Sequence, residues 1–379
     1  MNLKCAGGPL AFFSTQEAHN EYDIDAEEQR ARIRDSIGTR RRAGDLRMYL
    51  HTPPEVFLVA RGSGTSKAGW VAGWRGIANV RYWDWGWAQD GYNPYAGEWA
   101  LQKKPKFNEE LFNTARGAHR RKPIDVMVSY LSGRWVYPET MQRIKDLGII
   151  MVNITFDDTL LFWGDVDATG FTGDAGIARV FDIYITAQNR RNVGKYVAIG
   201  ANPLYMPPGG DNTAEIRALA DPPYERPIPA SFVGANYGVR GELVELLRKE
   251  GVTVVTRGND WPEGRASLEE MGQIIQSSLV TLGFGFISRT PLVGLKGRDF
   301  YTPMIGTVYL TTYCRELSEF FEEGKEILFY RTPGELVAKA KWCLAHPDEA
   351  RAIGLAGRKR ALRDHRWENR WKEVLELCR

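Results

Sequence analysis

Residues 295–306, with the sequence LKGRDFYTPMIG, carry the features that most constrain the fold of this chain. The order of residue types predicts a loop, a short helix and a terminating glycine at Gly306, followed by a strand at 307–311. Lys296 and Arg298 lie where the helix is predicted to begin, and exposed backbone N–H groups and the positive end of the helix dipole gather there. The stretch therefore indicates an α/β fold with a place for a diphosphate, whose oxygens an arginine fork can hold. A surface helix with two solvated cations is the alternative.

Segments of strand type and helix type alternate on both sides of this stretch. The predicted strands lie at 55–60, 124–129, 149–154, 181–186, 204–206, 231–234, 252–256, 279–282 and 307–311. At residues 267–270, SLEE has the pattern of a capping box that opens a helix over 268–276. Parallel sheets with right-handed helical crossovers follow from this alternation.

The chain of 379 residues exceeds what one hydrophobic core usually serves, so two domains are expected. The predicted organisation is a helical extension at 1–50, a Rossmann-like domain at 51–206, a proline-rich linker at 207–229, a second Rossmann-like domain at 230–350 and C-terminal helices at 351–379. Within the extension, a helix over 15–37 is predicted to end at Gly38.

The composition excludes several classes of protein. The hydrophobic content is 43%, yet no apolar run approaches the ~20 residues that a membrane helix needs. The first residues lack the pattern of a secretory signal peptide, so a cytoplasmic location is expected. The four cysteines have no metal-binding spacing and suit a reducing compartment. A net charge of +3 does not by itself indicate nucleic-acid binding.

Two carboxylates, Asp157 and Asp158, come just after the predicted strand at 149–154. Open α/β sheets place their sites at the carboxyl ends of parallel strands, so either residue is a candidate to orient a hydroxyl group or to take its proton. A helix cap or turn is the alternative. The D-x-D sequence at 165–167 favours a solvated turn, and no metal site is predicted.

A glycine-rich turn at 61–69, RGSGTSKAG, follows the first predicted strand. Its spacing matches neither a Walker A loop nor a G-x-G-x-x-G turn, because Lys67 occupies the place of the last glycine. Gly64 and Lys67 are nevertheless candidate ligand contacts, since α/β folds bind ligands at this turn. A plain tight turn is the alternative.

Aromatic residues are interleaved with glycine, proline, asparagine and aspartate between residues 82 and 99, which makes a helix there improbable. Trp83, Trp85 and Trp87 are candidates for stacking on a sugar or a nucleobase. A satellite core under a long loop is the alternative.

The turn at 234–241 opens the second predicted sheet. Gly234, Asn236 and Arg240 are candidate contacts for a phosphate, because a glycine lets the backbone approach a ligand at the start of a helix. A turn that only leads into a helix is the alternative.

Residues 295–375 resemble the C-terminal part of the CgeB-type, or spore-maturation-protein-like, glycosyltransferases, which are relatives of the group-1 GT-B enzymes. The matching pieces are KGRDF at 296–300, EFFEEGKE at 319–326, YRTPGEL at 330–336, AHPDE at 345–349, AGR at 356–358 and RDH at 363–365. Weaker likeness extends back to about residue 124.

This resemblance implies a GT-B fold, with two Rossmann-like domains whose parallel sheets face each other across a cleft and a last helix that crosses back to the N-terminal domain. The C-terminal domain would bind a nucleotide-sugar donor, with UDP favoured, and the N-terminal domain would bind the acceptor at the turn 61–69 and the tryptophans. Arg298 and Lys296 would neutralise the leaving diphosphate without a metal, and no cofactor is implied.

Tyr301 departs from the pattern of the resembled enzymes. Group-1 enzymes have a glutamate at this position, which holds the ribose hydroxyls of the donor. Asp299 lies two residues earlier and is an imperfect substitute, because residues i and i+2 do not share a helix face. Stacking of Tyr301 on the sugar or base would be another way to hold the donor.

The predicted activity is transfer of a hexosyl-type sugar from a nucleotide diphosphate to a hydroxyl of a glycan, a protein or a small molecule. Two alternatives stay open. One is a non-catalytic relative that binds nucleotides or glycans, motivated by Tyr301. The other is a virus-type enzyme that glycosylates hydroxylated DNA bases, motivated by the tryptophans and the arginine-rich start. The sequence yields no prediction of the oligomeric state.

Overall fold

The computed structural model describes residues 25–61, 64–86, 98–210 and 225–379, and for residues 64–68 it describes the backbone alone. The chain divides into two compact units. The N-terminal unit reaches Pro207 and also includes Trp367–Arg379, while the C-terminal unit is Pro208–Arg366. Each unit is built on one parallel sheet with helices around it, so the predicted pair of Rossmann-like sheets is confirmed.

The N-terminal unit contains a six-stranded sheet in the order β2-β1-β3-β4-β7-β8, in which every neighbouring pair is parallel. Its strands are β1 (Glu55–Ala60), β2 (Asn79–Asp84), β3 (Val126–Ser129), β4 (Ile150–Thr155), β5 (Val166–Asp167), β6 (Gly170–Phe171), β7 (Ile183–Thr186) and β8 (Pro203–Tyr205). Its helices are α1 (Ala26–Arg42), α2 (Gly64–Arg75), α3 (Lys104–Arg121), α4 (Pro138–Lys145), α5 (Asp158–Leu161) and α6 (Val193–Ala198). Strands β5 and β6 form a separate antiparallel hairpin.

Both faces of this sheet are buried. Along β1, Val56 and Leu58 belong to one hydrophobic cluster, whereas Phe57 and Val59 belong to the other. Successive side chains of a strand point to opposite faces, and helices cover each face, so residues 56–60 of β1 are apolar without alternation.

Three predictions about elements are wrong. The turn predicted at 61–69 is helical from Gly64, where α2 begins. A strand, β2, begins the stretch read as an aromatic loop, because Asn79–Asp84 pairs with all six residues of β1. Helix α1 continues past Gly38 to Arg42. Its last turn is anchored by Arg40, which donates hydrogen bonds to Asp182 (2.6 Å) and to the carbonyl of Lys145 (3.0 Å).

The C-terminal unit has a five-stranded parallel sheet in the order β10-β9-β11-β12-β13. Its strands are β9 (Ile228–Val233), β10 (Val254–Arg257), β11 (Ser278–Gly283), β12 (Val308–Thr312) and β13 (Leu328–Tyr330). Its helices are α7 (Arg240–Lys249), α8 (Leu268–Gln276), α9 (Arg298–Ile305), α10 (Arg315–Ser318), α11 (Pro333–Ala345) and α12 (Pro347–Asp364).

Local signals in the sequence place α8 and α9. The predicted capping box is present, since the side chain of Ser267 accepts from the N–H of Glu270 (3.1 Å) and Glu270 accepts from the N–H of Ser267 (2.7 Å). Gly306 ends α9 with a φ of 89°, a conformation that suits glycine. Because α9 connects the parallel strands β11 and β12, its first residue lies toward the carboxyl edge of the sheet.

The last helix, α13 (Trp367–Leu377), packs in the N-terminal unit, as the resemblance implied. The ring of Trp371 stacks on Trp74 of α2, with centroids 5.0 Å apart. Gly73 permits the close approach, since a Cβ there would lie 3.0 Å from the Cβ of Trp367. Across the described ranges, none of the helices combines the length and apolarity that crossing a bilayer requires.

Candidate active site

Arg298 is the first residue of α9, as the sequence predicted, and its guanidinium lies against the turn that follows β9. The group stands 4.9 Å from the ring centre of Phe232, and a Cβ on Gly234 would lie 2.6 Å from its Nη2. Gly234 is thus the residue that leaves room for the arginine. Among the residues that the structure describes, nothing forms a hydrogen bond with the buried Nη1 of Arg298.

A buried donor without a partner costs free energy, and the cost is larger for a charged group. The Nη1 of Arg298 is therefore prepared for an acceptor from outside the chain. Its position at the N-terminus of an eight-residue helix favours an anion, because the partial positive charge at that end of the helix adds to the charge of the guanidinium.

A second guanidinium, that of Arg240, is fully buried close to Arg298. It donates to the carbonyls of Ala235 (2.9 Å) and Phe284 (3.0 Å) and to the hydroxyl of Tyr237 (2.6 Å). Burial, and then the charge of Arg298, lower the pKa of Arg240 to about 10, so it still carries its proton at neutral pH. Arg240 holds the turn in place and adds positive charge beside Arg298, while direct contact with a donor stays a prediction.

The other two turn residues contribute through the backbone. The N–H of Gly234 donates to the carbonyl of Arg257 (2.7 Å), and the N–H of Asn236 donates to that of Asn259 (2.8 Å). The side-chain amide of Asn236 lies 3.4 Å from the carbonyl oxygen of Asp260. These two N–H groups are thus used to join the turn after β9 to the turn after β10, and their predicted phosphate contacts are not tested.

The buried side chain of Asp299 stabilises the start of α9 by hydrogen bonds. It is 2% exposed and accepts from the N–H of Lys296 (2.7 Å) and from the hydroxyl of Tyr309 (2.7 Å). Burial raises the pKa of its carboxyl. Asp299 therefore fixes the backbone of Lys296, one of the two predicted phosphate-binding cations. Tyr301 is partly buried against the apolar cluster of α8 and α9, and its stacking role stays a prediction.

The N-terminal unit has a cavity of about 300 Å³ at the carboxyl edge of its sheet. Residues that follow β1, β2, β3 and β4 line it: Arg61, Trp85, Tyr130, Leu131, Ser132 and Asp157. Asp157 is exposed and accepts a hydrogen bond from the hydroxyl of Tyr130 (2.8 Å). It precedes α5, yet its side chain makes no capping hydrogen bond to that helix. A carboxylate that faces a cavity and caps nothing is available to a ligand.

Asp158 lies in a different environment from its neighbour. It is fully buried, and its two oxygens accept from the amide of Asn192 (2.8 Å) and the hydroxyl of Tyr196 (3.0 Å). Burial raises the pKa of Asp158 to about 6, although these hydrogen bonds act in the opposite direction. The structure therefore separates the two predicted carboxylates into an exposed one that lines the cavity and a buried one that ties α5 to α6.

The sequence analysis missed a third carboxylate, Asp174, which also lines the cavity. It is 3% exposed and accepts from the hydroxyls of Tyr184 (2.6 Å) and Thr155 (3.1 Å). Burial, together with the charge of Asp158, raises its pKa well above the usual range. The sequence predicts no strand just before Asp174, and the strand that precedes it in the structure, β6, has only two residues. The only local signal is the glycines around it: a Cβ on Gly173 would lie 2.2 Å from the carbonyl oxygen of Leu161.

The tryptophans of the predicted stacking patch are mainly part of a core. Trp83 packs on Phe107, with centroids 5.5 Å apart, and Trp85 packs on Trp135 at 4.6 Å. Trp85 is 3% exposed and lines the cavity, and its Nε1 has no hydrogen-bond partner among the described residues. Trp87 lies outside the described residues. Acceptor contact by these three residues is untested.

Gly64 and Lys67 fall in the first turns of α2, whose backbone follows β1 and Arg61. Their predicted role in binding an acceptor stays a prediction.

In the D-x-D sequence, Asp165 forms an ion pair with Arg134 (2.9 Å), and Asp167 accepts from the N–H of Thr169 (2.7 Å). Within the described part of the chain, no group of three or more histidine, cysteine or carboxylate residues is arranged to hold a metal ion.

One protein family matches part of this chain. Residues 240–376 match a family model described as glycosyl transferase-like. This segment begins at Arg240 and contains α9 with Arg298. No curated protein matches this sequence.

Solved structures resemble the chain over most of its length. Sucrose-phosphate synthase from Thermosynechococcus elongatus has a TM-score of 0.55 at 13% identity, and the likeness covers 85% of this chain and 98% of that one. HepE from Anabaena, in complex with UDP and glucose, has a TM-score of 0.52 at 10% identity, with 85% and 98% covered. UDP-GlcNAc 2-epimerase from Neisseria meningitidis, bound to UDP-GlcNAc, has a TM-score of 0.51 at 9% identity, with 85% and 99% covered. The chain has the GT-B fold, and residues 240–376, which span most of its C-terminal unit and most of α13, have a glycosyl transferase-like sequence.

Proposed function

We propose that this GT-B chain is a glycosyltransferase of the CgeB-type branch, which moves a sugar from a nucleotide-diphosphate donor to a hydroxyl acceptor. UDP is the favoured nucleotide, since the solved neighbours with UDP or a UDP-sugar in their names share the fold. The glycosyl transferase-like sequence at 240–376 supports the reaction class.

The observation that carries the proposal is the unpartnered, buried Nη1 of Arg298 at the N-terminus of α9. When the bond between the anomeric carbon and the diphosphate breaks, negative charge grows on the leaving oxygen. Arg298 and the positive end of the helix dipole are already in place to stabilise this charge. Because they need no rearrangement during the reaction, they lower its activation free energy. Lys296 adds a second positive charge in the turn before the helix. In this proposal the reaction uses no metal and no cofactor.

On the acceptor side, we propose Asp157 as the base. The new bond joins the acceptor oxygen to the anomeric carbon, and the proton of the acceptor hydroxyl passes to the carboxylate of Asp157. Tyr130 holds that carboxylate from one side by its 2.8 Å hydrogen bond. Asp158 is less suited, because both of its oxygens are engaged inside the fold. Removing a general base typically costs about 10²–10⁴-fold in rate.

The test is release of nucleoside diphosphate from UDP-, GDP-, ADP- and TDP-glucose in the presence of a panel of hydroxyl acceptors. We expect one nucleotide to be preferred and Arg298→Ala to lower its turnover at least about 100-fold, as loss of one charge-stabilising donor does. Arg298→Lys keeps the charge without the fork and should restore part of the rate. Arg315→Ala, an exposed arginine of the same unit, is the matched control and should turn over like the wild type. Equal turnover by Arg298→Ala and wild type would contradict the proposal.

A second candidate function is nucleotide or glycan binding without catalysis. The observation that favours it is Tyr301 at the position where group-1 enzymes have a glutamate, while the nearest acid, Asp299, is buried and engaged. Saturable binding of UDP with no release of product from any donor and acceptor pair would select this function.

A further inference from the structure

Exposed apolar side chains are concentrated in one short segment of the N-terminal unit. Of the eleven large hydrophobic residues that are well exposed in the described part of the chain, five lie between residues 160 and 171. They are Leu160, Leu161, Trp163, Val166 and Phe171, and we call them the apolar hairpin surface. Their exposed fractions range from 44% for Leu160 to 73% for Val166. Contiguous exposed apolar patches on a folded chain mark sites of contact with ligands, proteins or membranes.

The hairpin β5–β6 organises this surface. Val166 and Phe171 are direct cross-strand partners, so their side chains lie on the same face. The rings of Trp163 and Phe171 have centroids 5.0 Å apart. The hairpin itself is fixed, because Asp165 and Thr172 exchange two hydrogen bonds of 2.9 Å each. The backbone that carries the apolar groups is therefore ordered before any ligand arrives, which lowers the entropy cost of binding.

The surface is continuous with the cavity that contains Asp157. Leu161 belongs to both, and the cavity is also lined by Gly164 and Asp165, which lie between Trp163 and Val166 in sequence, and by Thr172, which follows Phe171. A molecule whose polar part fills the cavity would meet the apolar hairpin surface where it leaves the cavity.

The charges near the surface narrow the choice of occupant. Residues 157–176 contain no lysine or arginine and five aspartates, of which Asp157, Asp165 and Asp167 are not buried. Three cations that contact this segment are engaged by it: Arg134 pairs with Asp165 at 2.9 Å, Lys104 donates to the hydroxyl of Thr169 (2.5 Å), and Lys195 donates to the carbonyl of Thr159 (3.4 Å). Peripheral proteins bind anionic bilayers through lysine and arginine clusters, so this acidic segment is unsuited to such a membrane. Three of the five members of the apolar hairpin surface, Leu160, Leu161 and Val166, are aliphatic and suit an alkyl group better than a second sugar ring, which prefers aromatic faces.

We propose that the acceptor is amphiphilic, with its hydroxyl-bearing part in the cavity and an attached alkyl or aryl group on the apolar hairpin surface. The inference rests on the proposed function, since it names the class of acceptor that the transferase would use. Specificity then comes partly from the apolar group, which a simple sugar lacks.

The test compares binding of octyl β-glucoside, below its micelle concentration, with binding of methyl β-glucoside to the full chain by titration calorimetry. We expect the octyl compound to bind at least about tenfold more tightly, which burial of about two methylene groups suffices to produce. Trp163→Ser and Val166→Asp should each remove most of this difference and leave the affinity for methyl β-glucoside unchanged. Leu355→Ser, an exposed leucine of the C-terminal unit, is the control and should keep the difference.

Several results would overturn the inference. Equal affinities for the two glucosides, or no binding of either, would remove its basis. A difference that Trp163→Ser and Val166→Asp leave intact would locate the apolar group elsewhere. If cellobiose binds as tightly as the octyl compound, the occupant of the surface is a longer glycan. If the protein is retained on phosphatidylcholine vesicles, the occupant is a membrane. If the protein self-associates and Val166→Asp abolishes this, the occupant is a second copy of the chain. The readout is binding, so it stays separate from failure of the proposed function, which loss of nucleotide turnover reports.

Discussion

Substitution of Gly234 by alanine tests how Arg298 is positioned. A Cβ at this place would lie 2.6 Å from Nη2, 2.8 Å from Nη1 and 3.0 Å from Cζ of Arg298. The backbone of Gly234 is outside the left-handed region, so alanine itself is tolerated and the flexible arginine must give way. Displacement would move the guanidinium off Phe232, which it now faces at 4.9 Å.

The expected effects on stability and on binding differ in size. Replacing glycine by alanine at a compatible position gains about 0.4–1 kcal/mol. Loss of a cation–π contact costs about 0.5–1 kcal/mol, so the free energy of unfolding should change by less than about 1 kcal/mol. A hydrogen bond to a charged group is worth about 1.5–3 kcal/mol, so the dissociation constant for UDP should rise about 10- to 150-fold.

Titration calorimetry with UDP measures the binding change, and urea denaturation measures the stability change. Gly334→Ala is the matched control, because a Cβ there meets only the hydroxyl of Thr332 at 3.9 Å. It should bind UDP like the wild type. If Gly234→Ala is stably folded and binds UDP as tightly as the wild type, the assignment of Arg298 to the diphosphate is refuted.

Three further predictions concern the N-terminal unit. Asp157→Asn should lower transfer at least about 100-fold while UDP affinity stays the same, and wild-type rates in this variant would exclude it as the base. Burial raises the pKa of Asp158 to about 6, so the stability that its protonated form contributes is fully present below about pH 4 and is lost as the pH rises through 6. This loss is worth up to about 3 kcal/mol of unfolding free energy. Asp158→Asn should flatten the fall in denaturation measured between about pH 4 and about pH 7. Trp371→Ala removes the stack on Trp74 and should cost about 3–5 kcal/mol of unfolding free energy. Trp342→Ala is the control and should cost far less, because Trp342 is 38% exposed. Equal losses in the two variants would contradict the packing described for α13.

Local signals explain which parts of the fold were predictable. The capping box at Ser267, the glycine stop at Gly306 and the apolar runs that became buried strands each act within a few residues, so the sequence exposes them. Strand β2 was missed because all its residues except Val80 are polar or aromatic, and none of them is fully buried. Its identity as a strand depends on pairing with β1, which lies more than twenty residues earlier.

In the candidate site, too, the sequence predicted what local signals determine and missed what depends on tertiary packing. The pattern KGRDF placed Arg298 at the start of a helix, but its position against Gly234 arises only when β9 and α9 pack together. The pair Asp157 and Asp158 looked equivalent in sequence, and burial then separated them. Asp174 reaches the cavity through the hairpin β5–β6 and the close contacts of Gly173, none of which has a periodic signature.

The central claim is that a diphosphate binds to Arg298 at the N-terminus of α9. A crystal structure of the protein soaked with UDP tests it most directly. The account predicts a phosphate oxygen within about 3 Å of the Nη1 of Arg298, in the hydrogen-bonding range of a guanidinium. UDP bound at another place, with that Nη1 still lacking a partner, would contradict it.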